Sequence, residues 1–238
     1  MSAGLVYGRR AVREALRGRR EVLELWASER ALRAEPWLAG AGAKPRQERE
    51  LSELAGTRDH QGVVARVEPF RYADAYALAA AERPLLAVLD RVTDPHNLGA
   101  VCRSAEGAGA TGIIVPAHGA ATVTPAVARA SAGAVEHLPV AVVTNLARYL
   151  EDVKGPSLWV YGASGDAEAT MWDTDLSGGV ALVLGAEGKG LRPLVRRSCD
   201  ALVSIPLEGR VESLNVSVAA AVLLYEARRQ RRAAGAAA

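Results

Sequence analysis

Three polar, glycine-containing stretches each follow an apolar run: Asp90 to Ala105, Gly185 to Leu191, and Ile205 to Glu226. They carry the side chains best suited to chemistry, Asn97 and Arg103 in the first, Glu187 in the second, Ser213 and Asn215 in the third. Asp94 followed by Pro95 is a helix start, with the carboxylate as N-cap and Pro at the first helical position. Asn97 then falls in the first turn. Arg103 lies on the next turn among Ala, Val, Cys and Ser, so it faces the interior or a ligand, or else pairs with Glu106 at i+3. Ser213 stands where a long Ala/Val/Leu helix begins and is a natural N-cap for it. Polar loops at the C-terminal ends of strands are where an open α/β sheet places its ligand.

The glycine loop GAEGKG matches neither common nucleotide motif. A P-loop needs Ser or Thr after its Lys, and Lys189 is followed by Gly190. Gly185, Gly188 and Gly190 run G-x-x-G-x-G rather than the dinucleotide order G-x-G-x-x-G. What remains is a strand end that lets a backbone or a flat ligand approach closely, with Glu187 among the glycines and Lys189 or Arg103 as its partner.

Composition narrows the functional class. The formal net charge is only +2, which gives no global attraction to nucleic acid. Positive charge gathers at the front, where six arginines face the single acid Glu14 within the first 20 residues. Arg9, Arg13 and Arg17 follow one another at i+4 and share one helix face, either solvated or set to touch RNA phosphates. Cys102 and Cys199 are far apart and the four histidines are scattered, so disulfide, zinc and other metal chemistry are not indicated. The expected location is cytoplasmic, with no membrane span and no secretion signal.

The elements that must position these residues fall into two groups. From Leu5 to Arg20 the pattern predicts a short helix with Val12, Ala15 and Leu16 inward. VLELWA and HQGVVARV predict strands around a Pro-broken, weakly helical region and a helix from Gln47 to Leu54. Later runs, LLAVL, GIIVP, LWVYGA, VALVLG and ALVSIP, are continuously apolar rather than alternating. Strands buried on both faces look like this, which predicts a mostly parallel sheet with helices on each side. The tail RRQRRAAGAAA is expected to fray.

NLGAVCRSA, LVLGAEGKGL and IPLEGRVESLNVSVAAAVLLYE, in this order, resemble the three signature motifs of the SpoU, or TrmH-like, class of SPOUT RNA 2'-O-ribose methyltransferases. VYGRRAVREAL and DHQGVVARV resemble the small L30e-like domain found in front of the RlmB type, which methylates a guanosine of bacterial 23S rRNA. The resemblance implies an α/β knot fold with a C-terminal trefoil knot, which composition alone does not show. It implies residues 1–69 as an L30e-like RNA substrate-binding domain, 70–83 as a linker, 84–232 as the methyltransferase domain and 233–238 as a flexible tail. It also implies a homodimer and S-adenosylmethionine as donor, held by Leu184, Gly185, Ile205, Leu207 and Leu214, with no metal. Arg103 takes the central catalytic role, with Asn97, Glu187, Ser213 and Asn215 around it. A tRNA 2'-O-methyltransferase, a resistance-type rRNA methylase and a non-catalytic RNA-binding protein on the same fold are the alternatives.

Overall fold

Residues 4–186 and 188–236 are described by the computed structural model. Contacts divide them into two compact units, Met1–Arg71 with Val123–His137, and Tyr72–Thr122 with Leu138–Ala238.

The first unit opens with β1 (Gly4–Tyr7) and α1 (Arg9–Ala15), followed by β2 (Val22–Ala27), α2 (Glu29–Ala34), α3 (Pro36–Gly40), β3 (Lys44–Pro45), α4 (Glu48–Ala55) and β4 (Val63–Val67). Its sheet runs β1-β4-β2-β3, with β4 antiparallel to both of its neighbours. The single helix expected from Leu5 to Arg20 is corrected here. Leu5–Val6–Tyr7 is a strand registered on Val64 to Arg66, and Gly8 at φ 93° separates it from a helix of seven residues. That backbone angle is open to glycine at no steric cost. Val12 and Ala15 are buried as expected, whereas Leu16 lies beyond the helix and is exposed.

The second unit begins with α5 (Ala75–Ala79), β5 (Leu85–Asp90), α6 (Pro95–Gly107) and β6 (Gly112–Pro116). The next segment, with α7 (Pro125–Ala130) and a 3-10 turn at Ala134–Glu136, belongs to the first unit. There Glu136 is buried and ion-paired with Arg20, whose Nε donates to Glu136 Oε2 at 2.9 Å. The second unit then resumes with β7 (Val140–Val143), α8 (Leu146–Val153), β8 (Trp159–Ala163), β9 (Val180–Gly185), α9 (Pro193–Arg197), β10 (Ala201–Val203) and α10 (Val216–Ala236).

Its sheet has six strands in the order β10-β8-β9-β5-β6-β7, parallel at every pairing. The central strands β5 and β9 are buried along both faces, which is what their unbroken apolar sequences require. Leu86, Val88, Ala181 and Val183 pack with Leu146, Tyr149, Leu150 and Val195 on one face. Helices α6 and α10 pack together on the other, with α10 also against β5 and β9. The chain moves outward from β5 through β6 and β7, then returns to the other side of β5 through β8 and β9. The strand order therefore reverses between β5 and β9, the position at which such sheets bind ligands.

The end of α10 is also a correction. Residues 229–231 do not fray: Gln230 accepts from the Leu176 N–H at 2.7 Å and donates to the Thr174 carbonyl at 3.0 Å, and Arg231 donates to the carbonyls of Pro84 and Gly178 at 2.8 and 2.6 Å. Burial disfavours the charged form of Arg231 and pulls its pKa down.

Candidate active site

Parallel pairing sets Asp90 opposite Gly185, so the loops after β5 and β9 leave the sheet side by side. Asp94 caps α6 as its sequence requires, accepting from the His96 N–H at 2.8 Å, and Pro95 is the first helical residue. The third loop reaches the same place, because Asn215 Nδ2 donates to Asn97 Oδ1 at 3.0 Å across 118 residues of sequence. The helix cap falls on Asn215 rather than Ser213: its Oδ1 accepts from the Ser217 N–H at 2.9 Å, and its carbonyl takes the first helical bond, from Ala219. Ser213 is left exposed, on the wall of a cavity.

That cavity measures about 540 Å³ and lies over the ends of β8, β9 and β10. Leu184, Gly185, Ile205, Leu207, Ser213, Leu214 and Asn215 all line it. Apart from Glu212, every described lining residue is uncharged. Gly185 is fixed by close approach: a Cβ there would stand 2.1 Å from the Gly190 carbonyl carbon, so a side chain would push the two arms of the loop apart. A second cavity of about 480 Å³ shares Ala186, Gly190 and Val216 with the first and is lined by Asn97. Arg103 is exposed on α6 and lines neither cavity. One turn further on, Gly107 leaves room for the Tyr225 hydroxyl, which a Cβ would meet at 2.9 Å. Glu187 lies outside the described residues.

Several further residues, beyond those expected from the sequence, shape the site. Ser164 and Gly165, at the end of β8, form one wall of the first cavity. Arg196 on α9 fixes that wall by donating to Ser164 Oγ at 2.8 Å and to both Asp166 oxygens at 3.1 Å. The Ser164 and Arg196 hydrogen bonds hold the Asp166 carboxyl below its usual range. Another is Asp90, a fully buried carboxylate that accepts from the Arg192 backbone N–H at 2.8 Å and its Nε at 2.6 Å. A fourth Gly/Ser-bearing strand end, in WVYGASG, was the available signal for Ser164. For the Asp90–Arg192 pair the signal was weaker, since 102 residues separate the partners.

In the first unit, the three arginines of α1 and its C-terminal extension differ in what they touch. Arg9 pairs with Glu35 at 3.2 Å and Arg17 with Glu14 at 3.2 Å, while Arg13 is exposed. Among the described residues no cluster of three or more His, Cys, Asp or Glu could hold a metal ion, and no helix is long and apolar enough to cross a membrane.

Residues 84–225 match the family model of the SpoU rRNA methylases, and residues 5–73 match that of the RNA 2'-O ribose methyltransferase substrate-binding domain. The chain belongs to the SpoU rRNA methylase family. It is 45% identical over 240 residues to the 23S rRNA (guanosine-2'-O-)-methyltransferase RlmB of Pseudomonas putida, covering 95% of this chain and 96% of that one. Among solved structures it resembles the SpoU methyltransferase AviRb from Streptomyces viridochromogenes, with a TM-score of 0.83 at 30% identity over 98% of this chain and 91% of the other. The complex of AviRb with AdoMet matches at a TM-score of 0.77, again at 30% identity, over 98% and 92% of the two chains. The parallel α/β unit that carries these cavities is shared with the SPOUT methyltransferases of this family.

Proposed function

We propose that this protein transfers a methyl group from S-adenosylmethionine to the 2'-hydroxyl of a guanosine ribose in 23S rRNA, as a cytoplasmic homodimer whose C-terminal region is a trefoil knot. The observation that carries this reading is the cavity over β9, whose apolar walls and open backbone suit an adenosine and a thioether-like chain better than a phosphate. When bound there, the donor supplies an electrophilic methyl group on a sulfonium sulfur. Leu184, Ile205, Leu207 and Leu214 are its apolar contacts, and Gly185 keeps the neighbouring backbone within reach. Ser213 completes the pocket, while Asn97 and Asn215, already bonded to each other, orient the ribose or its phosphate.

Arg103 acts as a fixed cation beside the oxygen that gains alkoxide character. A guanidinium is effectively never neutral in a protein, so it is no literal base. At about 4 Å and an effective dielectric of about 20 it contributes about 4 kcal/mol to the charged transition state. Glu187 holds Arg103 or takes the proton. Because Arg103 lies outside both cavities of its own chain, a second copy supplies or completes its site, which supports the homodimer. The exposed Val218 and Tyr225 on α10, beside buried Leu223 and Leu224, give that helix an apolar outer stripe for the contact. Residues 1–69 bind the rRNA, in part through Arg9, Arg13 and Arg17, and 84–232, apart from the Val123–His137 segment that packs with the first unit, carry the chemistry, with 70–83 leading into the second unit and 233–238 as a tail.

Calorimetry with S-adenosylmethionine, without metal or RNA, and methyl transfer to 23S rRNA fragments test the reading. Binding of the donor with 2'-O-methylation of one guanosine is expected. Donor binding with methylation only of tRNA would move the substrate to the tRNA alternative, and a monomer by light scattering at micromolar concentration would remove the dimer.

A further inference from the structure

The second cavity does not resemble the first. Its described lining includes Arg91, Asp94, Lys189 and Arg192 as well as Asn97, so it is as charged as its neighbour is apolar. Arg192 is compensated by buried Asp90. The Asp94 carboxylate accepts an N–H at the start of the 13-residue helix α6 and keeps its charge, so the two cations Arg91 and Lys189 face one anion and the balance is positive. Both are exposed, and among the described residues neither side chain has a hydrogen-bonding or ion-pair partner.

Arg91 is held there against its own backbone preference. It sits at φ +63°, a left-handed angle that glycine adopts freely and that crowds the Cβ of any other residue. The loop imposes this angle, because Val92 is buried and its carbonyl accepts from Ala121 N–H at 2.8 Å. A glycine would remove the strain, so the loop holds the arginine side chain beside the cavity at a cost in backbone energy.

We infer that this cavity receives a phosphodiester of the acceptor RNA, with Arg91 and Lys189 as its two cationic contacts. The inference rests on the ribose methyltransferase reading above and adds where the strand runs. Since the cavities share Ala186, Gly190 and Val216, a sugar whose 2'-oxygen faces the donor cavity across this wall has its own phosphate on the side of Arg91 and Lys189. The apolar cavity then selects the donor, and the cationic cavity fixes the polarity of the strand.

The test uses the full chain with Arg91→Gly, Lys189→Gln and the double substitution. Donor affinity, measured by calorimetry, is expected to stay at the wild-type value. Affinity for a 23S rRNA fragment is expected to fall about tenfold for each cation removed. The slope of log affinity against log salt should shrink by about 0.7–0.9 for each. The loss falls on the RNA concentration needed for half-maximal rate, as for removal of uniform binding. Arg91→Gly should also melt about 1–3 °C higher, since it releases the left-handed strain. Wild-type RNA affinity and salt slope in the double variant would overturn the inference, whatever the melting temperature does. A wild-type protein that binds donor and RNA but methylates no rRNA would instead overturn the proposed function, while the salt slopes still judge the cavity.

Discussion

Replacing Arg192 should cost more stability than replacing Asp90, although they are two halves of one pair. The Asp90 side chain is fully buried while that of Arg192 is 41% exposed. Arg192→Ala therefore strands a carboxylate in the sheet with only the backbone N–H of residue 192 to hold it, at a cost of about 3 kcal/mol. Asp90→Ala leaves a guanidinium that water can reach and one backbone N–H without its acceptor, about 2 kcal/mol. The double substitution should resemble Asp90→Ala alone, so the cycle gives a coupling of about 3 kcal/mol. Hydrogen exchange at the β5 and β9 amides reads this locally. Arg192→Ala should speed exchange there by roughly a hundredfold, since about 1.4 kcal/mol is a factor of ten. Gly188 and Gly190, just before Arg192, line the cavity proposed for the donor, so donor affinity should weaken as well. Equal losses from the two single variants, or an additive cycle, would refute the argument from the buried carboxylate.

Arg103→Ala should lower the single-turnover methylation rate by about three orders of magnitude, the rate equivalent of about 4 kcal/mol, while Arg103→Lys keeps a measurable part of it. Donor binding should survive both changes, and the rate should keep rising from about pH 6 to 10 as the hydroxyl ionises, without a plateau at a guanidinium pKa. Deleting residues 1–70 should leave donor affinity intact, because the cavity is built from residues 163–219, but it uncovers Val127 and Val135, worth about 1.5–3 kcal/mol each when fully buried. Dye binding and loss of solubility in that variant would show the exposed surface, and a well-behaved fragment would contradict it. The Arg229 hydrogen bond, with help from Gln230, holds the Glu226 carboxyl below its usual range. Its stabilisation is therefore present above that range and lost as pH falls through the lowered value, and Arg229→Ala should abolish this acid-linked step in melting temperature.

The sheet was legible because a strand buried on both faces has nowhere to put a polar residue. LLAVLD and VALVLG could be read directly, and they are β5 and β9. Strand β7 was not read from VAVV, four residues at the edge of the sheet that follow Pro139. At the front, the helical spacing of the arginines hid the point where Gly8 turns a strand into a helix. The three loops could be seen as strand ends, but what joins them could not. Asn97 finds Asn215, Asp90 finds Arg192, and Arg231 finds Pro84 across 118, 102 and 147 residues, distances over which no local periodicity carries information. The fraying expected of the tail fails at residues 229–231 for the same reason: a run of arginines looks solvated until its distant carbonyl partners are known.

The first unit is discontinuous in sequence, which sets a schedule for its synthesis. Its strands are complete by Val67, yet α7 and Glu136, the buried partner of Arg20, come from Val123–His137. At about 5–20 residues per second, the stretch from Arg71 to His137 takes roughly 3–13 s to make. During that interval the faces that α7 and the 3-10 turn will cover, around Ala11, stand open on the nascent chain. The half made first must wait for the half made later, so this protein has a window in its birth when a chaperone, or an error, can intervene.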